Sequence, residues 1–135
     1  MLISILLPYK ENFSPEYPGA VSLFVYETSK ISKFKNNITV FGNTNFKKIF
    51  NLKYVNINTK KEFFYSQTKN YVNDFVKLEK KNNSSIIEVH NRPSYIHIIN
   101  SQLKNKILTL YFHNDPLSMD GSKTIEQRKS LLKTC

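Results

Sequence analysis

The chain has 135 residues, which is enough for one domain with a substantial buried core. Hydrophobic residues make up 40% of it and aromatic residues 13%. This composition excludes an intrinsically disordered protein, because such chains have too few apolar groups to offset the entropy of ordering. A single cysteine, Cys135, excludes an internal disulfide and fits a reducing compartment.

The formal net charge of +10 suggests a nucleic-acid-binding protein. Two features argue against this interpretation. Only Arg92 and Arg128 are arginines, the residue best suited to reading guanine, and the lysines are spread along the chain. A biased coding sequence explains the lysines, and the alternative is a basic face for anionic lipids or phosphorylated substrates. We therefore do not expect a nucleic-acid partner.

An apolar run at residues 2–7 ends at Pro8. It is too short to span a membrane, and no positive charge precedes it as in a signal peptide. We interpret it as a central strand of a parallel sheet, covered on both faces. We expect a cytoplasmic protein, and peripheral attachment to the inner face of the membrane is compatible with that expectation.

From Ala20 onward the spacing of the apolar residues changes from that of a strand to that of a helix. A helix is predicted from Ala20, and its buried face consists of Val21, Phe24, Val25, Thr28 and Ile31. Strands are predicted at residues 38–41 and 54–57, a helix at 66–80, a turn at 82–85 and a strand at 86–89.

A third helix is predicted after Pro93, since the missing N–H of proline is not needed in a first turn. Its buried side consists of Tyr95, Ile96, Ile99 and Leu103. Residues 107–112 form the last predicted strand. A final helix is predicted with Ser122 as its N-cap and with Ile125 and Leu132 as its apolar positions.

Strands that alternate with helices imply right-handed crossovers, and therefore a parallel sheet with helices on both faces. We predict one α/β domain over residues 1–135 with a Rossmann-like fold. In an alternating strand–helix pattern, a helix is usually followed by another strand. We therefore expect that this pattern is interrupted after the final helix.

Polar residues follow four of the predicted strands: Lys10 and Glu11, then Asn43 and Thr44, then His90, Asn91 and Arg92, then His113, Asn114 and Asp115. Ligands bind at the carboxyl ends of the strands in open α/β sheets. We therefore predict that these side chains converge on one edge, although loops are polar in any case.

Gly19 and Ala20 lie where a loop meets a predicted helix. A helix start offers free N–H groups and a positive dipole end to a phosphate, and glycine lets the phosphate approach the backbone. The alternative is that Gly19 only permits a tight turn. Neither the dinucleotide fingerprint nor a Walker A motif is present, so we expect neither NAD nor ATP.

His90 and His113 are candidates for a general base, a ligand of sugar hydroxyls or a loop-structuring group. Arg92 could bind a phosphate or carboxylate, or it could pair with Glu88. No residues have the spacing of a metal site, so we expect no metal and no other cofactor.

Two further positions have structural alternatives. Asn114 and Asp115 could cap the turn before Pro116 instead of contacting a ligand. His97 falls within a predicted helix beside Ile96, and we interpret it as structural.

Three segments carry a family resemblance: Leu7-Pro8-Tyr9-Lys10-Glu11 through Pro18-Gly19-Ala20-Val21-Ser22, Glu88-Val89-His90-Asn91-Arg92-Pro93, and His113-Asn114-Asp115-Pro116. Together, and in this order, they resemble the N-terminal domain of family 4 glycosyltransferases, which have the GT-B fold. The resemblance covers nearly the whole chain, and each segment alone is weak.

The resemblance implies the N-terminal, acceptor-side half of a retaining, metal-independent hexosyltransferase. Such an enzyme transfers a sugar from a nucleotide-sugar to a glycan or lipid-linked acceptor, as in cell-envelope polysaccharide or lipopolysaccharide synthesis. By resemblance, Gly19 and Ala20 approach the donor diphosphate and His113 contacts the donor sugar as the catalytic-site residue. The acceptor side comprises Glu11, His90, Asn91, Arg92, Asn114 and Asp115.

The sequence departs from that family in having no counterpart of the acidic donor-binding motif of the second, C-terminal domain. Stabilising a departing nucleotide diphosphate needs groups from both walls of the cleft. We therefore expect negligible transferase activity from this chain alone. The alternatives are a non-catalytic sugar- or nucleotide-binding module, and a basic protein that binds membrane surfaces or nucleic acid.

Overall fold

The structure is a computed structural model that describes residues 1–60 and 66–135. Its sheet consists of β1 (Ile3–Leu6), β2 (Ile38–Gly42), β3 (Tyr54–Asn56), β4 (Ile86–His90) and β5 (Ile107–Tyr111). The strand order is β3-β2-β1-β4-β5, and all the pairings are parallel. The predicted Rossmann-like α/β fold is confirmed.

The helices are α1 (Ala20–Ile31), α2 (Gln67–Asn82), α3 (Pro93–Gln102) and α4 (Ile125–Thr134), and short 3₁₀ turns lie at Lys35–Asn37 and Pro116–Ser118. The core residues of α1 belong to one cluster, and those of α2, α3 and α4 to another. The sheet therefore carries helices on both faces, as predicted. In the part of the chain that the structure describes, no helix is both long and apolar enough to cross a membrane.

The continuous apolar run of β1 is explained by burial on both faces. Leu6 packs in the cluster under α2 and α3, whereas Ile5 and Leu7 pack in the cluster under α1. Successive side chains of a strand point to opposite faces, so a strand buried on both faces is mostly apolar. The buried exception in β1 is Ser4, whose hydroxyl is bonded to Glu79.

The buried face of α1 was only partly predicted. Val21 and Val25 are buried as expected, but Ile31 is 81% exposed, and the other buried positions are Ser22 and Ser29. Residues 22, 25 and 29 are three and four positions apart, so they share one face of the helix just as the predicted apolar residues do. The helix therefore turns a stripe containing two small serines toward the sheet, which a count of apolar residues does not detect.

The prediction for α4 was wrong in two respects. Its N-cap is Thr124, not Ser122, because Thr124 and Gln127 form a reciprocal capping box. Ser122 is buried, and its hydroxyl donates to the carbonyl oxygen of Pro116. The buried side was also not as predicted: Leu131 is buried, whereas Leu132 is 82% exposed and Ile125 is exposed too.

The strand order places a switch point between β1 and β4. The chain proceeds outward from β1 to β2 and β3, and α2 then returns it to β4 on the other side of β1. Open α/β sheets bind their ligands at such a switch point, at the carboxyl ends of the strands.

Candidate functional site

The two loop histidines meet at the carboxyl end of the sheet. His90 is the last residue of β4 and is paired in register with Tyr111, the last residue of β5. His113 lies two residues beyond that strand, and its Nε2 is 2.8 Å from Nδ1 of His90. The distance requires a hydrogen bond between the two rings.

A carboxylate continues this pair. Oε1 of Glu88 is 2.5 Å from Nε2 of His90, on the side of the ring away from His113. Glu88 and His90 are two residues apart on β4, so their side chains share one face of the sheet. His90 is buried, and Glu88 is partly exposed. We name Glu88, His90 and His113 the histidine chain.

Glu88 was not predicted to be a site residue. The available signal was two polar residues at alternate positions of an otherwise apolar strand, Glu88 and His90. Such alternation places polar groups on one face of a strand whose other face, here Ile87 and Val89, packs in the core.

Aromatic rings surround the histidine chain. The ring of Phe24, from α1, lies edge-on to His113 with 4.9 Å between centroids, and 5.0 Å from Tyr111. Tyr111 stacks on His90 at 5.4 Å with an interplanar angle of 18°. These contacts restrict both imidazoles to their observed orientations.

The environment of His113 changes its proton affinity. Burial lowers the pKa of His113 below the ordinary value of 6.5, and the nearby His90 lowers it further. The carboxylates of Glu11 and Glu88 raise the pKa and oppose these effects. The net direction is downward, so His113 is neutral at neutral pH.

Glu11 occupies the start of α1. Its Oε1 accepts a hydrogen bond from the backbone N–H of Ser22 at 3.1 Å. It therefore satisfies one of the free N–H groups of the first turn and places a negative charge at the positive end of the helix dipole.

A glycine is needed at position 19 because the carboxylate of Glu11 packs against it. The backbone of Gly19 is extended (φ −70°, ψ 154°), a conformation that any residue adopts, so no turn requires glycine here. A Cβ at this position would lie 1.9 Å from Oε1 of Glu11. Glycine makes room for a carboxylate of the chain itself, and Ala20 follows as the first residue of α1.

Asn91 and Arg92 connect the ends of β4 and β5. Asn91 has a positive φ of 56°, its N–H donates to the carbonyl of Tyr111, and its Oδ1 accepts from the N–H of His113. Nη1 of Arg92 donates to the carbonyl of Asn91. The suggested Arg92–Glu88 pair is not observed, because Glu88 is bonded to His90 instead.

Asp115 has the structural role that was considered for it. Its Oδ1 accepts from the N–H of Leu117 at 2.9 Å and caps the 3₁₀ turn at Pro116–Ser118. Asn114, by contrast, lines a cleft of roughly 680 Å³ together with Asn91, Arg92 and Lys123. Asn114 thus remains available to a ligand, whereas one oxygen of Asp115 is already used.

We name the carboxyl-end edge of the sheet, where Glu11, His90, Asn91, Arg92, His113 and Asn114 lie, the rim. Buried tyrosines connect the rim to the core. The hydroxyl of Tyr71 donates to the carbonyl of Leu7 at 2.8 Å, and the hydroxyl of Tyr95 accepts from the N–H of Tyr9 at 3.2 Å. Burial raises the pKa of both Tyr71 and Tyr95, so both hydroxyls keep their protons. These bonds hold the loop after β1 against α2 and α3.

The remaining polar candidates do not contact the histidine chain. His97 is exposed on α3. Asn43 and Thr44, after β2, bond to the neighbouring chain segments: Nδ2 of Asn43 donates to the carbonyl of Ile57, and the N–H of Thr44 donates to Oδ1 of Asn56. Among residues 1–60 and 66–135, no group of three or more His, Cys, Asp or Glu side chains is arranged to hold a metal ion.

Several lysines that are scattered in the sequence come together in the structure. Lys60, Lys69, Lys77 and Lys80 line a second cleft, of roughly 820 Å³, along α2. Asp74 also lines this cleft and forms an ion pair with Lys77. The cleft is a mixed but mainly basic surface, distinct from the rim.

Comparisons of the chain with protein-family models, with curated proteins and with solved structures found no match. Functional conclusions therefore depend on the residues and on their geometry.

Proposed function

We propose that this chain is the acceptor-side half of a GT-B glycosyltransferase, which transfers a sugar from a nucleotide-sugar to a glycan or lipid-linked acceptor. The observation that carries the proposal is the position of Glu11, His90 and His113 at the carboxyl ends of β1, β4 and β5. The ends of β1 and β4 flank the switch point of the sheet, where open α/β folds bind their ligands, and the end of β5 is next to that of β4.

The chemistry of the rim suits a hydroxylated ligand. Carboxylate and imidazole groups accept hydrogen bonds from hydroxyls, and the side chains of Arg92 and Asn114 can donate to them. Tyr111 adds a ring that is 44% exposed. Apolar and aromatic surface with a few convergent polar groups is the usual composition of a small-ligand site.

The position of Glu11 favours a sugar over a phosphate at this part of the rim. Its carboxylate already occupies the N–H of Ser22 and would repel a diphosphate placed at Gly19 and Ala20. Donor phosphate contacts at the start of α1 therefore require Glu11 to move, whereas an acceptor hydroxyl can donate to it directly.

The proposal assigns the donor nucleotide to a second domain that faces this rim. A water-poor cleft needs electrostatic groups on both walls to stabilise a departing diphosphate, so we predict negligible turnover by this chain alone. The proposed reaction needs no metal, and its proposed location is the cytoplasm.

The proposal is tested by NMR titration of the ¹⁵N-labelled chain with maltose, UDP-glucose and UDP. We expect the two sugar-containing ligands to perturb the amides of Asn91, Arg92 and His113 with weak affinity, of roughly millimolar Kd for a half site. UDP alone should perturb them less. Perturbations confined to other surfaces, or none with either sugar, would contradict the proposal.

A non-catalytic sugar-binding module would give the same titration. The two functions separate when a GT-B donor domain is supplied in trans or by fusion and transfer from a nucleotide-sugar is assayed. Transfer that disappears on His113→Ala supports the enzyme, and sugar binding without transfer supports the module.

A second candidate function is favoured by the basic cleft along α2. Lys69, Lys77 and Lys80 line it together, and clustered lysines attract anionic lipid headgroups. Co-sedimentation with phosphatidylserine vesicles that weakens in the Lys69→Glu, Lys80→Glu double variant would support peripheral membrane attachment. Equal sedimentation of the double variant and the unmodified chain would exclude this surface as the contact.

A further inference from the structure

We propose that Glu88 and His90 are positioning residues that set the tautomer of His113, so that His113 presents an unprotonated Nδ1 to the rim at neutral pH. The inference concerns the proton arrangement within the histidine chain. It stands on the geometry of these three side chains and does not depend on the ligand proposed above.

His90 has a short contact at each of its two ring nitrogens. A neutral imidazole carries one N–H and one unprotonated nitrogen. Nε2 of His90 faces a carboxylate oxygen at 2.5 Å, and Nδ1 faces the imidazole of His113 at 2.8 Å. An ionised acceptor forms the stronger bond, so the single proton of His90 lies on Nε2 and is donated to Glu88.

The position of the His113 proton follows from that of the His90 proton. Since Nδ1 of His90 is then unprotonated, the short contact between the rings needs a proton on Nε2 of His113. Two unprotonated nitrogens facing each other at this distance would repel. Neutral His113 has only one proton, and it is used in this bond, so Nδ1 of His113 is left as a hydrogen-bond acceptor.

Burial keeps the two hydrogen bonds of His90 in place. His90 is 1% exposed, so water cannot take the place of either of its partners. Tyr111 stacks on its ring, and Phe24 packs against His113. A half-turn of the His90 ring would keep these ring contacts but would break its hydrogen bonds to Glu88 and His113, and the backbone N–H of His113 is itself bonded to Asn91.

The titratable groups that shift the pKa of His113 come from two elements, the loop after β1 and strand β4. Glu11 lies in the loop after β1, Glu88 and His90 lie on β4, and His113 itself follows β5, while α1 contributes the uncharged ring of Phe24. Burial and His90 lower the pKa of His113, and the two carboxylates raise it. Removal of the Glu88 charge should therefore lower the pKa of His113 further.

The consequence for binding rests on the proposed function. An unprotonated Nδ1 accepts a hydrogen bond from a ligand hydroxyl and gives no favourable contact to a phosphate oxygen. Glu88 would thus influence the rim from inside the sheet, through His90, without touching the ligand.

The experiment is long-range ¹H–¹⁵N correlation NMR of the ligand-free chain, labelled with ¹⁵N-histidine, at neutral pH. We expect Nε2 to carry the proton in both His90 and His113, and Nδ1 to be unprotonated in both rings. A proton on Nδ1 of His113, or a doubly protonated His90, would overturn the inference. Because no sugar is added, this result is independent of any failure of sugar binding.

Glu88→Gln supplies the second arm. A neutral amide can accept from or donate to Nε2 of His90, so both rings should populate the other tautomer, and the titration midpoint of His113 should fall. Glu16→Gln, at an exposed carboxylate, is the matched control and should leave the tautomer signals unchanged. An unchanged His113 tautomer and midpoint in Glu88→Gln would refute the role of Glu88 even if the wild-type pattern is as expected.

Discussion

Two carboxylates near the sheet show how differently polar groups are used at its two ends. At the amino end, Glu79 of α2 is fully buried, its Oε2 accepts from the hydroxyl of Ser4, and its Oε1 accepts from both the N–H and the hydroxyl of Ser84. At the carboxyl end, Glu88 is partly exposed, and its Oε1 accepts from His90 alone, in a chain that ends at Nδ1 of His113.

The difference separates a structural network from a candidate site. Every partner of Glu79 comes from the chain, and a buried charge must be satisfied in this way to be tolerated. In the proton arrangement proposed above, the histidine chain ends at an unprotonated Nδ1 of His113, a residue that is partly exposed. An incomplete polar network beside a switch point indicates binding, and a complete one indicates folding.

The largest expected effect is on stability at the amino end. Glu79→Ala removes three hydrogen bonds to a charged group and leaves buried donors on Ser4 and Ser84 without a partner. We expect it to lower the free energy of unfolding by about 3 to 5 kcal/mol, measured by urea denaturation. Glu88→Ala is the matched control, with a smaller expected loss of about 1.5 to 3 kcal/mol, because it removes only one hydrogen bond to a charged group. Equal losses would show that the two networks do not differ as described.

An intermediate effect is expected where Glu11 meets α1. In Gly19→Ala the new Cβ would displace the carboxylate from the N–H of Ser22. The lost cap should cost about 0.5 to 2 kcal/mol of unfolding free energy. Glu11→Ala should cost a similar amount, and the double variant little more than either, because both remove the same contact. Additive losses would mean that Gly19 and Glu11 act separately.

The smallest effect concerns pH. The folded chain holds the pKa of His113 below its ordinary value of 6.5, so the unfolded chain binds a proton more readily. Above pH 6.5 the contribution of neutral His113 to stability is fully present, and it is lost as the pH falls through the lowered pKa. Unfolding free energy measured across this range should fall less steeply with acidification in His113→Asn than in the unmodified chain. Identical slopes would contradict the burial of His113.

The fold was largely predictable from the sequence because local patterns determine it. The apolar run of β1 and the strand–helix alternation give the parallel sheet, and Pro93 gives the start of α3. The buried face of α1 and the cap of α4 were not predicted correctly. Both depend on side chains that pattern counting ranks low: the buried serines of α1, and the Thr124–Gln127 capping box.

The position of the site was predictable from the sequence, but the hydrogen bonds that link its residues were not. The convergence of His90 and His113 follows from the rule that parallel strands end at one edge. The bond between them depends on the register of β4 with β5, and the cap by Glu11 depends on the path of a long loop. Neither the register nor the loop path can be derived from local sequence.

The central claim is that the open end of the histidine chain binds a hydroxylated ligand. It is tested most directly by the Kd of maltose, measured by NMR titration, in His113→Ala and in His97→Ala, a histidine exposed on α3. We predict at least about tenfold weaker binding in His113→Ala, equivalent to about 1.4 kcal/mol, and unchanged binding in His97→Ala. Equal affinities in the two variants would contradict the account.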